Sequence, residues 1–153
     1  MIHYEDLEVG AKHRYGNYHV TREDVLDFAS KYDPQPFHLD DEAAAKTHFG
    51  RLAASGWHTG AMMMAMNVKS WQDRPLASLG SPGIDELRWL KPVYPGDTLR
   101  CEGELLEKRR SRSRPDMGIT KNRTIVYNQH DEPVMSVIAN GLIKVRNPDA
   151  PFD

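Results

Sequence analysis

Ser55-Gly56-Trp57-His58-Thr59-Gly60-Ala61-Met62-Met63-Met64-Ala65-Met66-Asn67-Val68-Lys69-Ser70-Trp71 is the stretch on which the fold turns. Ser55 and Gly56 open a helical pattern. Ala61, Met64, Val68 and Trp71 share one face, and Met62, Met63, Ala65 and Met66 fill most of the others. A helix that is apolar nearly all round must be buried nearly all round. Residues 55–71 are therefore expected to be a central helix with other elements wrapped about it.

Upstream, Thr21 with Asp24 three residues later reads as a capping signal before Val25, Phe28, Ala29 and Tyr32, which line one helical face over 21–32. Asp40 or Asp41 caps a second, short helix through Ala43-Ala44-Ala45, with a stop at Gly50. From residue 84 on the period changes to two. Leu99, Cys101 and Leu105 alternate with Arg100, Glu102 and Glu104 over 98–106, and Met135, Val137, Ala139, Ile143 and Val145 alternate in a run ending at Arg146. A third extended segment, 121–130, joins that run through a hairpin at Asp131-Glu132-Pro133. Gly103 and Gly141, inside strand patterns, are expected to mark bulges or bends. Helices first and sequential strands after indicate an α+β fold, a curved antiparallel sheet wrapped around the long helix.

With 153 residues, 39% apolar and 27% charged, the chain is expected to be a single domain spanning 1–153, with a real core. Its longest apolar run, Ala61 to Met66, is far too short to span a bilayer. The acidic start Met1-Ile2-His3-Tyr4-Glu5-Asp6 lacks the features of a secretory signal, so a cytoplasmic location is expected. The lone Cys101 has no internal disulfide partner and reads as a buried thiol. A formal charge of −2 gives no global attraction to nucleic acid or to an anionic membrane, so recognition must come from a local site.

Tyr32-Asp33-Pro34-Gln35-Pro36-Phe37-His38 supplies one. Each proline fixes its own φ and pushes the residue before it toward an extended conformation, so the segment is a stiff linker between two helices. It holds a carboxylate and an imidazole five positions apart, a pairing suited to general acid/base work. The alternative is a helix-ending aspartate and a loop histidine. His38, Asp40, Asp41, His48 and His58 lack metal-ligand spacing, so no metal site is expected. Lys108, Arg109, Arg110, Arg112 and Arg114 run into Pro115-Asp116-Met117-Gly118 and read as a strand connection, either a phosphate-binding loop or a solvated turn.

With these residues in view, the chain resembles the MaoC-like dehydratases, relatives of the (R)-specific enoyl-CoA hydratases, which have the hotdog fold. Their motif of Asp, any residue, Asn, Pro, an apolar residue and His is matched by Asp33-Pro34-Gln35-Pro36-Phe37-His38, with Gln35 in place of Asn. Tyr32 stands where a Gly is usual. Phe28-Ala29 before the motif, Phe49-Gly50-Arg51-Leu52-Ala53-Ala54-Ser55-Gly56 after it, and Pro95-Gly96-Asp97-Thr98-Leu99 further on extend the similarity over nearly the whole chain.

The resemblance implies reversible hydration of a trans-2-enoyl thioester to an (R)-3-hydroxyacyl thioester, with Asp33 and His38 holding the water. It implies oxyanion donors at Gly56 and Trp57, and Ser55 capping the helix or positioning the water. Phe37 and Trp57 would touch the acyl chain. The methionines at 62–66 would line an acyl tunnel or simply fill the core, and Arg112 and Arg114 would receive the phosphates of coenzyme A. No cofactor is implied beyond the thioester substrate, carried on coenzyme A or an acyl carrier protein. A homodimer with strands continuing between protomers is expected. The alternatives are a hotdog acyl-CoA thioesterase and a non-catalytic acyl-binding subunit.

Overall fold

A computed structural model describes residues 1–152. The chain runs β1 (Lys12–His19), α1 (Arg22–Tyr32), α2 (Asp41–Ala45), α3 (Gly56–Ser70), β2 (Ser78–Trp89), β3 (Thr98–Arg110), β4 (Met117–Tyr127) and β5 (Pro133–Lys144). Single 3-10 turns sit at Tyr4–Asp6 and Pro36–His38. The strands form one sheet in the order β1-β3-β4-β5-β2, every neighbour antiparallel.

Side-chain alternation decides what this sheet buries. Leu99 and Cys101 of β3, Val126 of β4, and Met135 and Val137 of β5 face one way and close over Met62 and Met66 of α3, with Val134 joining the same core at the start of β5. Leu52, Val20 and Val25 complete that core. Leu99 and Met135 are wholly buried, and burial of side chains this size stabilises by roughly 1.5–3 kcal/mol each. A five-stranded antiparallel sheet around one central helix is the hotdog arrangement. Cys101 is sealed inside, and burial pushes its thiol up to about 12.

Several expectations from sequence need correction. α3 is buried on one face only. His58, Thr59, Met62 and Met66 point inward, while Trp57, Ala61, Met64, Ala65 and Val68 are exposed. β1 lies ahead of the first element expected from the sequence. Its period is interrupted by a register shift between Tyr15 and Tyr18, where Gly16 adopts φ +88. β2 begins at Ser78, well before residue 84, as an exposed edge strand broken by Gly80, Pro82 and Gly83. α2 ends at Ala45, and turns carry the chain on to Gly50.

Gly103 lies in regular register, and the β3/β4 shift falls between Leu105 and Glu107 instead, whereas Gly141 faces the β2/β5 irregularity between Gly80 and Gly83. A Cβ on Gly141 would stand 2.7 Å from Thr120 Oγ1, so this glycine serves a close approach. β3 continues to Arg110, which shortens the basic connection. Arg110 is buried, and its guanidinium donates to the carbonyls of Ala150 (2.6 Å), Pro148 (2.8 Å), Pro115 (3.1 Å) and Pro151 (3.2 Å). It ties the last residues to the sheet. Among the described residues, no helix is long and apolar enough to cross a membrane.

Candidate active site

α1 ends because Pro34 cannot continue it. Asp33 is its C-cap (φ −152, ψ 68), and its N–H still donates to the Ala29 carbonyl at 2.9 Å. Pro36 then opens the 3-10 turn at its first position, and His38 N–H donates to the Gln35 carbonyl at 2.9 Å. The acid is thus fixed to a helix end and the imidazole to a tight turn. Their side chains meet with His38 Nε2 3.4 Å from Asp33 Oδ2.

The protonation pattern follows from the partners. His38 Nδ1 lies 2.7 Å from the Ala53 carbonyl oxygen, which only accepts, so Nδ1 carries the proton. In the neutral ring Nε2 is then a lone pair directed at a carboxylate oxygen. The ring itself is buried, 4% exposed. Asp33 receives two hydrogen bonds: Gln35 Nε2 donates to Oδ1 at 2.7 Å, and Ser55 Oγ donates to Oδ2 at 2.7 Å. Burial opposes ionisation of this carboxyl. The bonds from Gln35 and Ser55, with the attraction of His38 in its protonated form, outweigh it and hold Asp33 below the usual aspartate range.

Ser55 is the N-cap of α3, yet its hydroxyl makes no capping bond, because it is committed to Asp33. His58 and Thr59 donate their N–H groups to the Ser55 carbonyl. Among the described residues the N–H groups of Gly56 and Trp57 have no acceptor, so two donors and the positive end of the helix dipole remain unspent beside Asp33. Gly56 is required here for space. A Cβ would come 2.5 Å from the Trp89 indole, which stands edge-on to Trp57 with ring centroids 5.0 Å apart. Both indoles are exposed and form a lip at the helix start.

Phe37 flanks the imidazole edge-on at 4.6 Å, and Phe49 closes the same side at 5.8 Å. The methionines divide, with Met62 and Met66 in the core and Met64 46% exposed. Between α1 and α3, starting at Tyr32, lies a cleft of about 250 Å³ lined by Tyr18, Phe28, His58 and Met62, with Asp24 and Asp27 at its rim. Burial pushes the His58 imidazole down, partly offset by Asp24 and Asp27.

Asp33, His38, Ser55, Gly56, Trp57 and Phe37 are thus gathered, whereas Arg112 and Arg114 are not. Those two occupy the β3–β4 turn, beyond Arg110, separated from Thr98 by about 40 Å of strand. The Ala54–Val93 and Val20–Gly96 pairings that brace the site lie at the Thr98 end. Gln35, the Ala53 carbonyl and Trp89 escaped the sequence reading. Gln35 alone carried a signal, as a departure from the motif's Asn.

The family model for the MaoC like domain matches residues 7–128. The chain is similar in structure to the MaoC-like dehydratase from Rhodospirillum rubrum, with TM-score 0.88 and 40% identity, covering 96% of this chain and 99% of that one. It is also similar to the unliganded R-hydratase PhaJ1 from Pseudomonas aeruginosa, with TM-score 0.69 and 29% identity over 98% of this chain and 94% of that one. A mesaconyl-CoA hydratase from Cereibacter sphaeroides is 36% identical over 83 residues, 54% of this chain and 24% of that protein.

Proposed function

The chain belongs to the MaoC-like domain family, and on that footing we propose that it hydrates trans-2-enoyl thioesters reversibly to (R)-3-hydroxyacyl thioesters. One observation carries the reading. Two acceptors, His38 Nε2 and Asp33 Oδ2, face each other at 3.4 Å next to the two unpaired N–H groups that begin α3.

A water placed against that pair donates one O–H to each acceptor and keeps a lone pair for the β-carbon. As the C–O bond forms, His38 Nε2 takes the water's proton, and Asp33, kept ionised by Gln35 and Ser55, stabilises the imidazolium. Negative charge moves to the thioester oxygen, where the Gly56 and Trp57 N–H groups meet it. The imidazolium then returns the proton to the α-carbon. One O–H bond and the π bond between the α- and β-carbons are broken, one C–O and one C–H bond are made, and the site regains its starting state. The reverse sequence dehydrates.

The acyl chain occupies the cleft between α1 and α3. Phe28 and Met62 suit hydrocarbon there, and the Asp24 and Asp27 carboxylates disfavour an anionic tail. Phe37 and Trp57 flank the thioester where it passes between His38 and the start of α3. The exposed β2 edge, with Leu79, Ile84 and Trp89, and the outer face of α3, with Trp57, Met64 and Val68, support a homodimer. Light scattering tests this, and an active monomer would contradict it.

Activity is tested by following loss of enoyl absorbance with crotonyl-CoA. Turnover by the wild-type protein, abolished in Asp33→Asn and in His38→Ala while circular dichroism is unchanged, is the expected result. Release of free thiol would point to hydrolysis, and inertness toward short and long enoyl thioesters would point to a binding subunit.

A further inference from the structure

We infer that Arg51 seats the phosphate that caps the pantetheine arm of the thioester's carrier. The inference rests on the proposed reaction and names how its substrate is held. Arg51 is exposed, and among the described residues no carboxylate pairs with it. Among the other cations around this end of the molecule, Arg22 is spent on Asp41, Arg88 on Glu86 and Lys91 on Glu132, while Lys46 is exposed with neither a carboxylate nor a ring to hold it among the described residues.

The Arg51 guanidinium is nonetheless held in place. It lies 3.9 Å over the Tyr94 ring, and Tyr94 is fastened at both ends. Its hydroxyl donates to the Phe49 carbonyl at 2.7 Å, and its N–H donates to Asp97 Oδ2 at 2.9 Å. A guanidinium held over a ring face spends no N–H on a carboxylate, and its fork matches two phosphate oxygens.

Its position relative to the reacting groups gives the assignment. Arg51 is two residues before Ala53, whose carbonyl locks His38, and Phe49 packs on the His38 ring. Arg51 therefore lies on the Phe49 side of the imidazole, whereas the acyl cleft opens on the α1/α3 side. A thioester threaded between His38 and the start of α3 has its acyl chain on one side and its carrier on the other. The carrier's first anionic group then meets Arg51. Arg112 and Arg114 lie at the far end of β3, and Arg114 is already paired with Asp116.

The same enoyl group is presented on coenzyme A, on an acyl carrier protein and on pantetheine, which lacks the phosphate. Arg51→Ala should raise KM for the coenzyme A thioester by about tenfold, leave kcat in place, and leave the pantetheine thioester within about twofold. Arg51→Lys should recover part of the loss. The carrier whose KM suffers more is the one the site is built for. An equal loss on pantetheine, no loss on either phosphorylated carrier, or a loss that instead follows Arg112→Ala and Arg114→Ala would overturn the inference while leaving the hydratase reading intact. If the wild-type protein turns over none of the three, the reading itself fails and the inference falls with it.

Discussion

Ser55→Ala isolates the hydroxyl that holds Asp33. Ser55 is fully buried, and its Oγ caps nothing, so alanine should leave the start of α3 in place and delete one hydrogen bond of 2.7 Å. A bond to a charged group contributes about 1.5–3 kcal/mol, equivalent to roughly 10- to 150-fold in rate if all of it positions the carboxylate. The profile of kcat/KM against pH is the assay. Asp33 acts as the carboxylate, and Ser55 lowers its pKa, so the acid limb should move to higher pH in the variant as the rate falls. The same linkage gives a stability signature. A depressed folded pKa adds stability that is present above the ordinary aspartate value of 3.8 and is lost as pH falls through the folded value. The melting-temperature gap between wild type and variant should therefore narrow in acid. An acid limb unmoved by the substitution would refute the idea that Ser55 tunes Asp33.

His58 and Gly118 give two more tests. His58 Nδ1 is buried without a partner among the described residues, and burial depresses the ring's pKa, so the unfolded chain binds more protons as pH drops below the ordinary 6.5. Wild-type stability should fall through that window. His58→Leu should flatten the dependence and stabilise by about 1 kcal/mol at neutral pH, and thermal melts between pH 5 and 8 that run parallel would contradict this. Gly118→Ala would bring a Cβ within 2.3 Å of Tyr4 Cδ2 and 3.2 Å of Ile143 Cγ2, both buried residues. Urea titration should show a loss of about 1–3 kcal/mol, and an unchanged midpoint would mean that the Tyr4 ring yields freely.

What could be read from the sequence was local. The alternation through Leu99 and Cys101, and through Met135 and Val137, is visible because a strand with one buried face repeats every two residues. Thr21 with Asp24, and Asp40 ahead of its alanines, announce helix starts with their own side chains. Asp33 and His38 stand out because the intervening prolines fix their separation.

What was hidden is long-range or lies in the main chain. β1 hides because Gly16 and its bulge break the period between the two inward tyrosines, and β2 hides because an exposed edge tolerates glycine and proline. Ala53 acts through its carbonyl, which has no signature in its side chain. Trp89 reaches Gly56 only once the sheet has formed. Arg110 sits in a basic run yet is buried among the carbonyls of a distant segment. The outer face of α3 reads as core, because one chain's sequence does not say which apolar surface its own sheet covers.

Turnover of crotonyl-CoA in water enriched in oxygen-18, read by mass spectrometry of the product, tests the shared water between Asp33 and His38 most directly. One heavy oxygen at C3 of an intact 3-hydroxyacyl thioester, absent in Asp33→Asn, is the expected result. Heavy oxygen at C1 with free coenzyme A released, or C3 labelling undiminished in Asp33→Asn, would contradict the account.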